Sequence, residues 1–287
     1  MSPRPTLRVH GAAPALGVTR QVGKRGVIMA QAINDGLIRG NDTANAPGMP
    51  LVLMYHSVEP YQADPYLVTV SPPRFGEQMR WLARRGLRGV SMRDLLAARA
   101  AGGGKGLVGL TFDDGYADFA RHALPVLRRY GFGATMFVIA GRLGGENAWD
   151  QEGPRKRLMD APEVWALAQA GIEIGSHGLR HVRLPAAGDA LAEEIGGSRR
   201  ILQETTGKPV SGFCYPYGDL DADAVARVRE TGYDYGCAIW ASAYTSRHAL
   251  PRTYIGDADT APRLWAKRAR HQLAWMPRRA GKSSRTA

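Results

Sequence analysis

The stretch LVGLTFDDG, at residues 107–115, joins a run of apolar residues to an acidic pair. A short apolar run bounded by turn residues is typical of a buried strand, so we predict a strand over 107–112. Asp113 and Asp114 then stand directly at the end of this strand. Two adjacent carboxylates repel each other and lose hydration when buried, unless a cation or a proton is shared between them. A solvated acidic turn is the alternative, because Asp-Asp-Gly is also a common turn sequence.

The same kind of pattern extends in both directions from this stretch. About eight short apolar runs alternate with amphipathic helical segments, and no internal repeat is visible. This alternation is the signature of βα units around a parallel sheet, for which a (β/α) barrel is the natural closure. The active site of such a barrel lies where the strands end. We predict strands over 51–55, 107–112, 134–139, 172–174, 210–213, 235–238 and 253–255. Helices are expected between Ser71 and Gly86, over 119–130, between Asp160 and Gly171, over 191–205 and over 222–230.

A histidine pair follows another predicted strand. The segment SHGLRH at 176–181 places His177 and His181 four residues apart, directly after the strand at 172–174. On one helical turn these rings would face the same way and could bind one metal ion. Two histidines and a carboxylate form a three-ligand site that leaves room for water. Two unrelated surface histidines are the alternative for such a pair when it stands alone.

Aromatic residues follow a third predicted strand. The segment FCYPYG at 213–218 sets Tyr215, Pro216 and Tyr217 at the end of the strand over 210–213. Aromatic rings around a proline form a rigid apolar wall, which suits a sugar ring or an acyl methyl group. We therefore predict that these three residues contact substrate, with a well-packed loop as the alternative.

The charge of the protein is concentrated at its two ends. The chain has 287 residues and a formal net charge of +12, with 44% hydrophobic and 22% charged residues, which is typical of a globular protein. Residues 1–30 and 260–287 carry thirteen basic residues and no acid, so the rest of the chain sums to −1. No nucleic-acid partner is expected from this distribution. Peripheral contact of the basic ends with an anionic membrane stays open. For the segment 263–275 we expect a final helix packed on the core, with membrane contact as the alternative.

The domain organisation predicted from composition has three parts. Residues 1–50 are rich in Gly, Ala, Pro and Asn and predict a mobile arm, 51–275 form the barrel domain, and 276–287 are a basic tail. Two cysteines without a CxxC pair fit a reducing compartment. No convincing signal peptide and no run of about 18 apolar residues is found, so a cytoplasmic location is expected. Met29 is a possible alternative start.

Taken together and in this order, the three segments resemble the polysaccharide deacetylases of the NodB-homology type (carbohydrate esterase family 4). The motifs TFDDG at 111–115 and SHxxxH at 176–181 carry the resemblance, which covers about residues 51–256. The segment LMYHS at 53–57 also looks like the start of many such domains. The resemblance implies an α/β protein whose fold is a deformed (β/α) barrel of the NodB-homology type.

The resemblance also implies roles for individual residues. Asp113 matches the catalytic base of the family, and Tyr217 matches the residue whose backbone N–H helps to hold the oxyanion. One divalent metal ion, commonly zinc, is implied, with three ligands: Asp114, His177 and His181.

The activity that the resemblance implies is metal-dependent hydrolysis of an acyl group, foremost N-acetyl, from an amino sugar. The substrate would be an N-acetylated glycan or a carrier-linked sugar. A metal-activated water attacks the amide carbonyl after Asp113 removes its proton.

The third motif departs from the family's Arg-x-Pro-Tyr, because Cys214 stands where the arginine is usual. A guanidinium can orient a carboxylate through two parallel hydrogen bonds, whereas cysteine cannot. We predict that Arg252 supplies this group to Asp113 from a late strand. Pairing of Arg252 with Asp257 is the alternative.

The family's late Leu-x-His motif, which supplies the general acid, is not recognisable in this sequence. His56 and His248 are the candidates for that role. His56, which belongs to the LMYHS segment, is also a candidate for substrate contact.

Two other functions stay open from the sequence alone. The first is a hydrolase of a non-carbohydrate linear amide or formyl group on the same barrel. The second is a catalytically impaired glycan-binding barrel that basic tails hold at an anionic surface. A broken ligand set would mark the second, but Asp114, His177 and His181 are all present.

Overall fold

The computed structural model describes residues 48–275. The predicted arm at 1–50 lies outside this range except for its last three residues, and the predicted tail at 276–287 lies wholly outside it. Within 48–275, no helix is both long and apolar enough to cross a membrane.

A curled sheet of eight parallel strands forms the centre of the molecule. The strands in chain order are β1 (Val52–Tyr55), β2 (Ser57–Val58), β3 (Thr69–Val70), β4 (Arg88–Val90), β5 (Leu107–Phe112), β6 (Thr135–Val138), β7 (Glu173–Ser176), β8 (Gly212–Cys214), β9 (Tyr235–Cys237) and β10 (Thr253–Tyr254). The sheet order is β10-β1-β5-β6-β7-β8-β9, while β2 and β3 pair separately. Strand β4 pairs with the first half of β5 and β6 with its last two residues.

The segment 250–254 connects the two edges of this sheet. Leu250 forms a parallel bridge with Cys237 in β9, and Thr253 then pairs with Leu53 in β1. Between these contacts the Arg252 amide donates to the Ile239 carbonyl at 3.1 Å. Backbone pairing therefore continues around the sheet, and a side chain that leaves this segment can point into the enclosed space.

Seven α-helices accompany the sheet in the described part of the chain. They are α1 (Pro72–Arg84), α2 (Met92–Ala100), α3 (Leu124–Tyr130), α4 (Ala161–Gln169), α5 (Ser198–Thr206), α6 (Ala222–Glu230) and α7 (Ala261–Ala274). A π-helical turn leads into α3 and another into α5, over Phe119–Ala123 and Glu193–Gly197. The predicted fold class, an α/β barrel with deformed closure, is confirmed. The sequence analysis missed β2, β3, β4 and α2.

Two helix starts show how local sequence sets the elements. Before α4, Asp160 accepts a hydrogen bond from the Glu163 amide at 2.9 Å, and Glu163 accepts one from the Asp160 amide at 3.0 Å. This is the capping box that the sequence predicts. Ser71 occupies the predicted cap position of α1, but its hydroxyl donates to Asp257 at 2.6 Å instead of capping the helix. The alternative pairing of Arg252 with Asp257 is wrong, because the guanidinium binds Asp113 instead.

Hydrophobic side chains are buried on both sides of the curled sheet. The larger cluster lies between the sheet and the helices and includes a group of aromatic rings in mutual contact, mostly edge to face, from Tyr55, Phe75, Phe112 and Phe119. A smaller cluster fills the enclosed side, with contributions from β1, β4, β6, β8 and β9. Phe112 belongs to the larger cluster and immediately precedes Asp113, so the packing of β5 fixes the place where the acidic pair begins.

We predict that Phe112→Ala destabilises the protein by about 3–5 kcal/mol, because it removes a fully buried ring that contacts three others. Urea denaturation followed by circular dichroism measures this change. Trp165→Ala is the matched control, since Trp165 on α4 is 52% exposed. It should change the free energy of unfolding by less than about 0.5 kcal/mol. Equal stability of the two variants would contradict the assignment of Phe112 to the core.

Candidate metal centre and active site

The acidic pair sits at the carboxyl end of β5 in two different backbone conformations. The Asp113 amide continues the strand pairing by donating to the Tyr55 carbonyl at 3.0 Å. Asp114 has φ 72° and Gly115 has φ 77°. A positive φ is uncommon and unfavourable for an aspartate, so the chain turns sharply between the two acids. The two carboxylates consequently point to different partners.

The two histidines lie on a loop after β7, which corrects the prediction of a helical turn. The loop is not helical because Gly178 has φ 78° and His181 has φ 63°. Buried Glu194 holds the loop by accepting hydrogen bonds from the Leu179 and Arg180 amides, both at 3.0 Å. The left-handed backbone at Gly178 and His181 brings both imidazoles to Asp114. The sequence analysis had expected a helical turn to do this.

Asp114, His177 and His181 are brought together by the structure and are all buried. The Nε2 atoms of His177 and His181 lie 3.3 Å and 3.4 Å from Asp114 Oδ1. His177 Nδ1 lies 2.8 Å from the Cys214 carbonyl oxygen, which can only accept, so Nδ1 carries the hydrogen in the neutral ring. The lone pair of His177 Nε2 then faces a carboxylate oxygen.

The donor atoms of this cluster fit a divalent cation. Asp114 Oδ1 and His181 Nδ1 have no hydrogen-bond partner although both are buried. Unpaired buried polar atoms are costly, and a shared cation would satisfy the carboxylate together with both Nε2 lone pairs. A carboxylate and two imidazoles, one of them held by a backbone carbonyl, form a common zinc ligand set. A metal ion would therefore be held by these three residues.

The titration of the two histidines agrees with a cation site. Burial has the largest effect on the pKa of His181, and the neighbouring His177 acts in the same direction. Together they lower this pKa to about 3, although the charge of Asp114 acts to raise it. Burial also opposes protonation of His177, but Cys214, Asp114 and Asp113 raise its pKa well above the ordinary value. The negative potential that would attract a proton to His177 also attracts a metal ion.

A second group of possible ligands consists of Asp113, His177 and Cys214. Arg252 contacts two members of this group, both oxygens of Asp113 and the sulfur of Cys214. A metal ion placed there would lie beside a guanidinium, and like charges repel. The Asp114 group has no such cation and is the better metal site.

Arg252 reaches Asp113 with both ends of its guanidinium. Nη1 and Nη2 lie 2.7 Å and 2.8 Å from the two carboxylate oxygens, and the side chains are buried. The remaining N–H groups contact the Ala238 carbonyl, the Thr111 hydroxyl and the Cys214 sulfur, each at 3.0 Å. All five donors are used. Burial opposes ionisation of Asp113, but Arg252 holds the pKa of that carboxyl well below its usual range.

The two candidate acids from the sequence occupy different places. His56 lies next to the acidic pair, with its Nε2 atom 4.0 Å from Asp113 Oδ2 and its Nδ1 atom buried without a partner. His248 instead contacts the Tyr233 carbonyl at 3.0 Å, before β9 begins. The structure therefore brings His56 to the site, whereas the His248 ring lies near the start of β9, away from the strand ends that carry the site.

Of the three residues predicted to contact substrate in the third segment, only Tyr217 is accessible. Tyr215 is 1% exposed and donates its hydroxyl to the His248 carbonyl at 2.7 Å, so it packs in the core. Pro216 is also buried. Tyr217 has φ 60°, and its ring centroid lies 4.5 Å from that of His181. The prediction is corrected for Tyr215 and Pro216, because the loop turns inward before Tyr217.

The site includes aromatic and acidic residues that the sequence analysis missed. Trp149 belongs to a long loop after β6, and its ring centroid lies 4.5 Å from that of His181. Asp150 approaches Tyr116 Oη at 3.4 Å, and burial followed by the charge of Asp114 raises the pKa of Asp150 to about 6. The only sequence signal for these residues is that they follow a strand end, which many surface loops share.

Comparison with known proteins finds polysaccharide deacetylases by sequence and a shared fold by structure. A sequence model described as "Polysaccharide deacetylase" matches residues 100–236. YxkH of Bacillus subtilis strain 168, provisionally named a polysaccharide deacetylase, is 27% identical over 188 residues, which cover 64% of this chain and 62% of that protein. The chain therefore spans less than two thirds of that relative. A poly-β-1,6-N-acetyl-D-glucosamine N-deacetylase of Staphylococcus aureus strain MSSA476 is 25% identical over 66% of this chain and 68% of its own length.

Among solved structures, the Streptococcus pyogenes deacetylase PplD in complex with acetate superposes with a TM-score of 0.66 and 23% identity. The match covers 77% of this chain and 98% of PplD, and it shows the shared fold. The segments 111–115 and 176–181, which carried the resemblance, both lie inside the stretch that the family model matches. The chain is therefore similar in sequence to the polysaccharide deacetylases, a family of hydrolases, and shares their fold, as its sequence motifs predict.

Proposed function

We propose that this protein is a metal-dependent N-deacetylase that removes acetyl from an amino sugar within a glycan or on a carrier. One observation carries the proposal: the Asp114, His177 and His181 donor atoms converge beside Asp113, whose carboxylate Arg252 holds with two hydrogen bonds. A base next to an open metal site is the arrangement needed to activate water against an amide. The named S. aureus relative, which acts on poly-N-acetylglucosamine, supports the same substrate class.

Zinc is the metal that we propose. One carboxylate and two imidazoles, with the second nitrogen of one imidazole bound to a carbonyl, suit zinc in a catalytic site with an open position. When bound, the ion supplies a Lewis acid that polarises an amide carbonyl and acidifies a nearby water.

The residues of this chain provide the remaining steps. Asp113 is ionised at neutral pH because Arg252 lowers its pKa, so it is ready to accept the proton of the attacking water. The backbone N–H of Tyr217 stays the predicted donor to the oxygen that becomes negative. Of the two candidate acids for the departing amine, His56 is the one proposed here, since it lies beside Asp113.

Aromatic residues support a sugar substrate. Trp149 and Tyr217 come from different loops, and each places its ring against His181. Both side chains are half-buried, so part of each ring faces outward. Aromatic faces are large apolar surfaces that suit the C–H face of a sugar ring. A cytoplasmic location stays a prediction, and it would favour a small or carrier-linked glycan over a mature wall polymer.

Acetate release tests the function directly. The zinc-loaded protein is incubated with β-1,6- and β-1,4-linked N-acetylglucosamine oligomers, an O-acetylated glycan, and linear acetyl and formyl amides. We expect acetate and free amine from at least one N-acetylated oligomer, at a rate above that for the linear amides. Faster turnover of a linear amide would assign the protein to another class of hydrolase. Oligomer binding without any release would indicate an impaired glycan-binding barrel.

The metal ligands are tested by substitution. Asp114→Ala and His181→Ala should each lower zinc affinity by more than about 100-fold, because loss of a direct ligand should exceed the 10–100-fold effect of outer contacts. Elemental analysis and competitive titration with a chelator measure this. His248→Ala, which alters a histidine outside the cluster, is the matched control and should keep full zinc content. Cys214→Ser should also keep it, whereas loss of zinc in that variant would favour the Asp113 group.

Asp113→Asn should retain zinc and lower turnover by about 100-fold or more, because an amide cannot accept the proton of water. Steady-state acetate release and metal content are measured on the same preparation. Zinc loss in parallel with activity would make Asp113 a ligand, and unchanged turnover would move the base elsewhere.

Arg252→Lys tests the positioning of the base. Lysine keeps the positive charge but cannot make two parallel hydrogen bonds, so kcat should fall by roughly 10–100-fold while zinc content stays unchanged. Arg199→Lys is the matched control, since Arg199 also donates to two partners, the Val210 and Thr231 carbonyls, but lies outside the site. Thermal unfolding of both variants separates misfolding from misplacement. A kcat equal to that of the unmodified protein would show that the paired geometry is not needed.

A further inference from the structure

The last helix, α7, carries only positive charge. The last acidic residue of the chain is Asp259, before the helix begins. Asp259 is already paired with Lys267 at 2.6 Å. Three arginines in the helix have no ion-pair partner among residues 48–275: Arg263, Arg268 and Arg270.

Few residues of α7 attach it to the rest of the domain. Leu264 is its only buried residue. Lys267 donates to the Tyr254 carbonyl at 2.6 Å, and His271 contacts the Met49 carbonyl at 2.9 Å. These three residues are spaced by three and four positions and define the inward face. The expected packing of this segment on the core is therefore limited to one narrow face.

The outward face of α7 is apolar. At about 100° per residue, Trp265, Ala269 and Leu273 lie close together on the helix surface, with Pro262 and Ala266 beside them. Trp265 is 56% exposed and Leu273 is 69% exposed. We call these five residues the α7 stripe. Exposed apolar side chains that line one helix face indicate a binding surface.

Arginines border the α7 stripe on both sides. By the same helical geometry, Arg268 lies along one edge, and Arg263 and Arg270 lie along the other. A tryptophan and a leucine between unpaired arginines form the pattern of a helix that lies in a membrane interface. The apolar residues enter the headgroup region while the guanidinium groups bind lipid phosphates.

We propose that α7 docks this protein on an anionic phospholipid surface through the α7 stripe. Charge complementarity selects this partner, because the helix offers cations and no acid. A second copy of the chain would bring like charges together around the same stripe, which is unfavourable. A nucleic acid would use the arginines but would not provide an apolar phase for Leu273. The proposal does not depend on the proposed deacetylase activity.

Vesicle flotation tests the proposal with the full-length protein. The probes are vesicles of phosphatidylcholine alone and of phosphatidylcholine mixed with phosphatidylglycerol. We expect binding to the mixed vesicles, little binding to phosphatidylcholine, and weaker binding at high salt, because salt screens the arginines. The double variant Trp265→Ala/Leu273→Ala should bind the mixed vesicles at least about tenfold more weakly.

Two controls make the result specific to the α7 stripe. Trp165→Ala removes a tryptophan of similar exposure from α4 and should bind like the unmodified protein. The double variant keeps every basic residue, so the charge at 276–287 cannot account for its loss of binding. Thermal unfolding of the double variant should be unchanged, since both side chains are exposed.

Three outcomes would overturn the proposal. The first is unchanged vesicle binding by the double variant, which would assign any attraction to charge elsewhere. The second is equal binding to both kinds of vesicle. The third is a dimer in solution that the double variant converts to a monomer, because a second copy would then cover the α7 stripe.

Discussion

The buried pair of Arg252 and Asp113 is the interaction on which the rest of the site depends. Burial alone would raise the pKa of a carboxyl in this position, and the guanidinium of Arg252 holds it well below its usual range. The pair needs a side chain that enters the enclosed side of the sheet, which the connecting segment 250–254 supplies. Closure of the sheet and ionisation of Asp113 therefore have the same structural origin.

This pair also separates the roles of two neighbouring acids. Asp113 is occupied on both oxygens by Arg252, whereas Asp114 keeps an oxygen free for the histidines. Left-handed backbone at Asp114, His181 and Tyr217 accounts for three of the four non-glycine residues with positive φ within 48–275. Such conformations persist where surrounding contacts enforce them, and they cluster at functional sites. The hydrogen bonds that buried Glu194 accepts from the Leu179 and Arg180 amides are contacts of this kind.

The sequence predicted the parts of the structure that depend on local pattern. Strand β5 and helix α6 have the predicted bounds, because apolar runs and caps mark them. Strands β2 and β3 have two residues each and no pattern to detect. The histidine loop was predicted as helical because a spacing of four fits a helical turn, and residue types do not reveal a positive φ at His181. Tyr215 illustrates the same limit, since an aromatic residue suits a core and a substrate wall equally well.

The exchange at Cys214 shows how a departure from a family motif can keep a guanidinium beside the same carboxylate. An arginine at 214 would enter the site from β8, whereas Arg252 enters from the segment before β10 and reaches the same carboxylate. The small cysteine side chain leaves space for this guanidinium and contacts it at 3.0 Å. What Asp113 requires is two donors in a plane, from whichever strand can present them. The arginine is missing from its usual place in the sequence motif. Arg252 nevertheless places a guanidinium against the same carboxylate in the structure. The presence of Cys214 in the motif is therefore not by itself a reason to infer reduced activity.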